Sequence, residues 1–279
     1  MTSRLSNAES IQRLLMLRLM LPLMLLFTGT PALAEGFSVL VSPPRFTLRG
    51  DPGEVLRDYV EINNPGNQPV TFLLRTADWD MTETGATTFY PPELRPGSCR
   101  PWSRIERHKI RIPAKATKRY RFQIDIPADA QPGECRLALL IESPPEDAVI
   151  TRANTVSIPV QGRLAVVIYV DVGGARADLV LQDIVIEEVN GQRAPVAILS
   201  NQGRAHGRTS GFVDGTDATG QTLEFQVSPL PILPGQTRRV PLQRALLDDE
   251  TPPPFTPPLE LKGTIEWEDG KLPVAQRVE

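Results

Sequence analysis

The chain has 279 residues, 30 basic against 33 acidic side chains, 28 prolines, 20 glycines and two cysteines. A net charge of −3 without a basic stripe argues against nucleic-acid binding. The Pro- and Gly-rich, aromatic-poor composition lacks helix-period patterning, so it points to an all-β protein with many turns.

The N-terminus reads as a secretory signal over residues 1–34. Arg4, Arg13 and Arg18 form a basic region, 19–27 is a short apolar core broken by Pro22, and Ala32-Leu33-Ala34 gives a small-x-small cleavage pattern. An uncleaved N-terminal anchor is the alternative. Cleavage would remove three arginines and Glu9, taking the net charge from −3 to −5. No later stretch reads as a membrane span. The remaining length suits two domains.

After the signal, strands and turns alternate. Residues 37–41 and 45–48 read as strands separated by Pro43-Pro44, and Gly50-Asp51-Pro52-Gly53 as a turn. Alternation over 55–62 ends at Asn63-Asn64-Pro65-Gly66-Asn67. The next strand covers 70–76 and extends through Trp79. Residues 82–100 read as irregular, 103–112 as one strand, and 118–126 as another, with Tyr120, Phe122, Ile124 and Ile126 on one face. Residues 135–142 form a strongly apolar strand.

Ser143-Pro144-Pro145-Glu146-Asp147 then opens a loop. Val156, Ile158 and Val160 follow, alternating with polar residues and Pro159, as in a half-buried strand. Proline gives no N–H to a ladder, so this strand belongs on an edge. Such an edge with an apolar row is a template for pairing with another chain. The row could equally face the protein's own core.

Gly173-Gly174 marks a boundary. Beyond it, strands are expected at 179–189, 196–199, 209–214, 223–227, 238–242 and 259–267, fewer and shorter than in the first half. Asn190-Gly191 is a hairpin turn. Ser200-Asn201-Gln202-Gly203 echoes the Asn64 turn. The fold expected is therefore all-β: two immunoglobulin-like β-sandwich domains in tandem, at 35–172 and 173–279.

Export favours a disulfide between Cys99 and Cys135, two unpaired thiols being the alternative. No nucleophile–base pair, phosphate loop or metal cluster is legible, so no enzyme activity, catalytic residue, cofactor or metal is expected. His108 and His206 stand isolated. Trp79 and Trp102 read as packing residues. Asp214 and Asp217 lack the spacing of a calcium loop and read as a polar hairpin.

The exported chain, its two sandwiches and the loop-plus-edge-strand segment together resemble the PapD-like periplasmic pilus (fimbrial) assembly chaperones. The likeness is best over 37–68, 111–138 and 141–170 and faint in the second half. It implies a periplasmic chaperone that caps secreted pilin-like or coat-like subunits by donating an edge strand. It admits an outer-membrane usher as a second partner. The donor strand would be 153–160, presenting Val156, Ile158 and Val160 to the subunit. Family members also hold the subunit's terminal carboxylate with two basic residues. One corresponds to Arg45 and the other falls in Arg163-Leu164-Ala165, where Arg163 is kept and the family's lysine is Ala165. The alternative function is a structural or adhesive cell-surface sandwich without strand donation.

Overall fold

A computed structural model describes residues 38–82, 85–144, 162–244 and 254–279. The signal at 1–34 and the row Val156, Ile158, Val160 with Pro159 lie outside the described residues. Apart from a three-residue 3-10 turn at Arg100–Trp102, the regular structure of the described residues is all strand.

The first sandwich holds ten strands: β1 (Leu40–Ser42), β2 (Arg45–Gly50), β3 (Val55–Asn63), β4 (Val70–Met81), β5 (Thr87–Tyr90), β6 (Ser103–Ile105), β7 (Lys109–Ile112), β8 (Thr117–Asp125), β9 (Gly133–Glu142) and β10 (Arg163–Val172). One sheet has the order β1-β3-β8-β6. The other runs β2-β10-β9-β4, and β4 carries β5 and β7 on its remaining stretches. Between them lies a core built by alternation. Val60 and Ile62, Phe72 and Leu74, Tyr120, Phe122 and Ile124, Leu137, Leu139 and Ile141, and Val166, Ile168 and Val170 all point inward. The Cys99–Cys135 disulfide forms within this core, closing a 36-residue separation.

At two places the chain switches sheets across only a few residues. The prolines at 43 and 44 interrupt the first edge, so β1 pairs with β3 while β2 lies parallel to β10. The expected strand at 103–112 is also two strands. β6 joins β8 and β7 joins β4. Ile105 and Ile110 both face the core although they differ in parity, and that phase slip marks the crossing. Tyr120 pins the corner: its hydroxyl donates to the Arg107 carbonyl at 2.5 Å and accepts from the Arg107 N–H at 3.3 Å. Within the stretch expected to be irregular, β5 forms a short strand on β4.

The second half comprises β11 (Leu179–Val189), β12 (Gln192–Asn201), β13 (Gly207–Arg208), β14 (Ser210–Thr216), β15 (Thr222–Val227), β16 (Pro231–Ile232), β17 (Thr237–Arg244), β18 (Leu259–Trp267) and β19 (Gly270–Val278). Its main order is β11-β12-β17-β15-β14-β18-β19. The sheet folds over its own core of Val213, Phe225, Val240, Leu242, Leu259 and Ile265, and its two ends meet where Gln276 donates to Asp183 Oδ1 at 2.9 Å. Among the described residues these nine strands are fewer than the ten of the first half but not shorter: β11 has 11 residues and β19 has nine. β19 was not expected because Pro273 interrupts its pattern. It is an edge strand paired with β18 alone, where a missing donor is tolerated.

The expected turn at Asn190-Gly191 forms, with φ of 53° and 77°. The two echoed asparagines also prove equivalent. Asn64 accepts from Gly66 N–H at 3.0 Å and donates to the carbonyls of Gln68 and Pro113. Asn201 accepts from Gly203 N–H at 2.9 Å and donates to those of Ala205 and Ile232. Each is 2% exposed, so each turn is fixed by a buried amide whose hydrogen bonds replace those lost to water.

Candidate functional site

β10 is the strand on which the candidate site depends. All ten of its residues pair with β9, but β2 covers only Val167–Val172 on the other side. Arg163, Leu164, Ala165 and Val166 therefore have a ladder partner on one side only, among the described residues. Alternation sends Leu164, Val166, Ile168 and Val170 to the core. Arg163, Ala165, Val167, Tyr169 and Asp171 go to the outward face. β2 adds Arg45, Thr47 and Arg49 to that face, opposite Val167, Tyr169 and Asp171. Ala165, Val167, Met81 and Phe89 are half-buried around a small outer cluster of Trp79, Leu140, Tyr169 and Leu233.

The two basic positions carried over from the family fare differently. Arg163 is engaged: its Nε donates to Glu142 Oε1 at 2.5 Å, while Arg75 Nε lies 2.8 Å from Oε2. Burial would raise the Glu142 pKa, but the two guanidiniums outweigh it and hold the carboxyl below its ordinary value. Arg45 is exposed and has no carboxylate partner among the described residues. Arg49, four residues on, pairs with Asp171 at 3.5 Å and Asp269 at 3.1 Å.

Sequence reasoning missed the groups that second-half residues bring to this face. His206, expected to be isolated, stacks its ring on Tyr169 with centroids 3.6 Å apart. Its backbone N–H and its Nδ1 both lie within 2.6 Å of Glu134 Oε2. The Glu134 side chain is fully buried, and its other oxygen accepts from Arg136 at 3.2 Å. Glu134, Asp171 and His206 place possible metal-ligand atoms within 4.8 Å of one another. Both Glu134 oxygens are already hydrogen-bonded, so the trio acts as a joint rather than an open ligand set. Asp171 Oδ1 is buried without a hydrogen bond, and burial, with the Glu134 charge after it, pushes the Asp171 pKa up to about 6. The only sequence signal for this joint was a histidine among turn residues.

Trp79 is 3% exposed and donates to the Leu137 carbonyl, and Trp102 packs on the core, as expected of packing residues. Asp217 caps its own turn: Oδ1 accepts from Thr219 and Gln221, and Oδ2 from Thr256 N–H. These bonds, led by the Thr219 hydroxyl, lower its pKa to about 2. That is the polar hairpin expected. No helix among the described residues is long and apolar enough to cross a membrane.

No protein-family model matches the sequence, and no curated protein matches it. Several solved structures do resemble it. The class 5 fimbriae chaperone CfaA is 13% identical, with a TM-score of 0.47 over 86% of this chain and 99% of its own. The CupB2 chaperone of Pseudomonas aeruginosa is 11% identical, with a TM-score of 0.46 over 86% of this chain and 100% of its own. The YadV chaperone is 12% identical, with a TM-score of 0.46 over the same shares. At such identities the likeness is one of chain path, and the chemistry of the face is this chain's own. The chain is all-β, built of immunoglobulin-like sandwiches, and it resembles the PapD-like fimbrial chaperones.

Proposed function

We propose that this chain is a periplasmic chaperone that binds and caps secreted pilin-like or coat-like subunits by lending them an edge strand. Its mature form would run from residue 35, with domains at 35–172 and 173–279. The observation that carries the reading is the one-sided pairing of β10. Its first four residues have β9 on one side and no ladder partner on the other among the described residues. The core-facing parity of Leu164 and Val166 is also that of Val156, Ile158 and Val160 in the sequence just before them.

A subunit lacking a strand exposes an apolar groove and unpaired backbone groups, a combination that aggregates. A lent strand supplies main-chain hydrogen bonds and alternate side chains to that groove, with no cofactor needed. Arg45 would serve the same capture by meeting the subunit's terminal carboxylate.

The test is co-expression with pilin-like subunits that precipitate alone. The full chain is expected to hold one of them soluble in a one-to-one complex. Ile158→Asp should abolish this, because it places an unpaired charge in an apolar groove. Undiminished capture by the aspartate variant would remove strand lending. Failure to hold any such subunit would favour a structural or adhesive surface protein.

A further inference from the structure

One residue of β9 holds the second sandwich by both its main chain and its side chain. The Glu134 N–H donates to the Arg204 carbonyl at 2.8 Å, and Glu134 Oε2 accepts the His206 N–H at 2.6 Å and its Nδ1 at 2.5 Å. The His206 ring completes the grip by stacking on Tyr169. The Glu134 carboxylate is fully buried, with Arg136 at 3.2 Å as its cation, so the grip depends on a charge kept out of water.

A second carboxyl stands against this one. Asp171 pairs with Glu134 across the β9–β10 ladder, is 3% exposed, and has one oxygen without a hydrogen bond. Its other oxygen meets only Arg49 Nε at 3.5 Å, and that guanidinium is shared with Asp269 of the second sandwich at 3.1 Å. The Glu134, Asp171 and His206 polar atoms lie within 4.8 Å of one another. With a proton on Asp171 the cluster holds one buried carboxylate charge; without it, two repel at close range.

The charge would arise beside a route to water and a place where the chain turns. Asp171 lines a cavity of about 300 Å³ together with Arg49, Asp51, Glu54, Gly174 and Arg176. Asp51 and Glu54 add to the negative field there, and Arg176 offsets part of it. Gly173 and Gly174, with φ of 61° and 72°, then carry the chain into the second sandwich.

We propose that Glu134, His206 and Asp171 form a proton-controlled clasp between the two sandwiches, closed while Asp171 carries a proton and released when it ionises. An ionised Asp171 regains solvation by moving toward the cavity and away from Glu134, and that movement unseats His206. Burial first, and the Glu134 charge after it, raise the Asp171 pKa to about 6, so the clasp is closed in mild acid and open above neutrality. Other contacts across the interface do not change charge in this range. Leu233 clusters with Trp79 and Tyr169, and Arg238 donates to the Thr82 carbonyl at 2.7 Å.

The experiment records residual dipolar couplings of the full chain at about pH 5 and about pH 7.5, either side of the Asp171 titration. At the lower value one alignment tensor is expected to fit both sandwiches. At the higher value each should need its own, and the His206 amide proton should move upfield as its bond to Glu134 weakens. Asp171→Asn, neutral at both values, should keep the single tensor throughout. His206→Phe retains a ring for Tyr169 but lacks Nδ1, and should need two tensors at both values. Asp214→Asn, at an exposed carboxyl of β14, should behave as the wild type does.

A single wild-type tensor at both values, or two at both, overturns the clasp. So does a divergence that persists unchanged in Asp171→Asn. The wild-type couplings decide the matter even if a variant fails to fold.

Discussion

The outward face of β10 has two ends, and they treat positive charge in opposite ways. At one end Arg163 and Arg75 close on the buried carboxylate of Glu142. At the other, Arg45 is exposed and has no carboxylate in ion-pair contact among the described residues. Arg163 was a candidate anchor because a basic residue stands there in the family that the sequence resembles. Its neighbours in space tie it, through Glu142, to β9, β10 and β4. An arginine is available to a ligand only where the fold has left its charge without a partner, and strand spacing does not reveal that.

The contrast breaks most visibly at Glu142. Glu142→Gln is expected to destabilise the protein by about 2 kcal/mol, below the usual cost of breaking a buried pair because both arginines are partly exposed. Urea unfolding checks this, and a loss under about 0.5 kcal/mol would show that the braced end is not braced. The sign with pH follows from the depressed pKa. The Glu142 contribution is present above the unfolded-state value and disappears as pH falls through the folded-state one.

Asp171, beside Arg49 on the same face, should do the opposite. Its pKa is raised to about 6, so the native state holds a proton that the unfolded chain has already released. This group therefore stabilises the fold below about pH 4, and its contribution declines as pH rises to about 6, by on the order of 1–2 kcal/mol. Asp171→Asn should flatten that part of the stability profile. An unchanged slope between pH 4 and 6 in the variant would place the titration elsewhere.

The sequence made the sandwich architecture legible through alternation, and turn chemistry located Asn64 and Asn201 as equivalent punctuation. The disulfide followed from the expected export and the cysteine count. Three things did not follow. The sheet switch between Ile105 and Ile110 was written in their parity, but a continuous apolar pattern masked it. Pro273 hid β19, because a proline in a strand argues against the strand until its edge position is known. The Glu134–His206 joint depends on a histidine more than 30 positions beyond β10, and only packing brings it there. Local rules predict elements; charge pairing across elements is a property of the folded surface.

The smallest expected stability effect is the most discriminating. Arg163→Ala should cost about 1 kcal/mol, since Arg75 remains to hold Glu142 and the lost pair is partly exposed. Arg45→Ala should cost nothing within about 0.5 kcal/mol. Arg45 is exposed and makes no ion pair among the described residues, so truncating it breaks no charge contact. Thermal and urea unfolding of the two variants side by side measure the difference. A residue whose removal leaves stability intact while weakening subunit capture is held for a ligand rather than for the fold. Should Arg45→Ala prove as costly as Arg163→Ala, both ends of the face would be structural, and the capture role proposed for Arg45 would have lost the unpaired charge on which it depends.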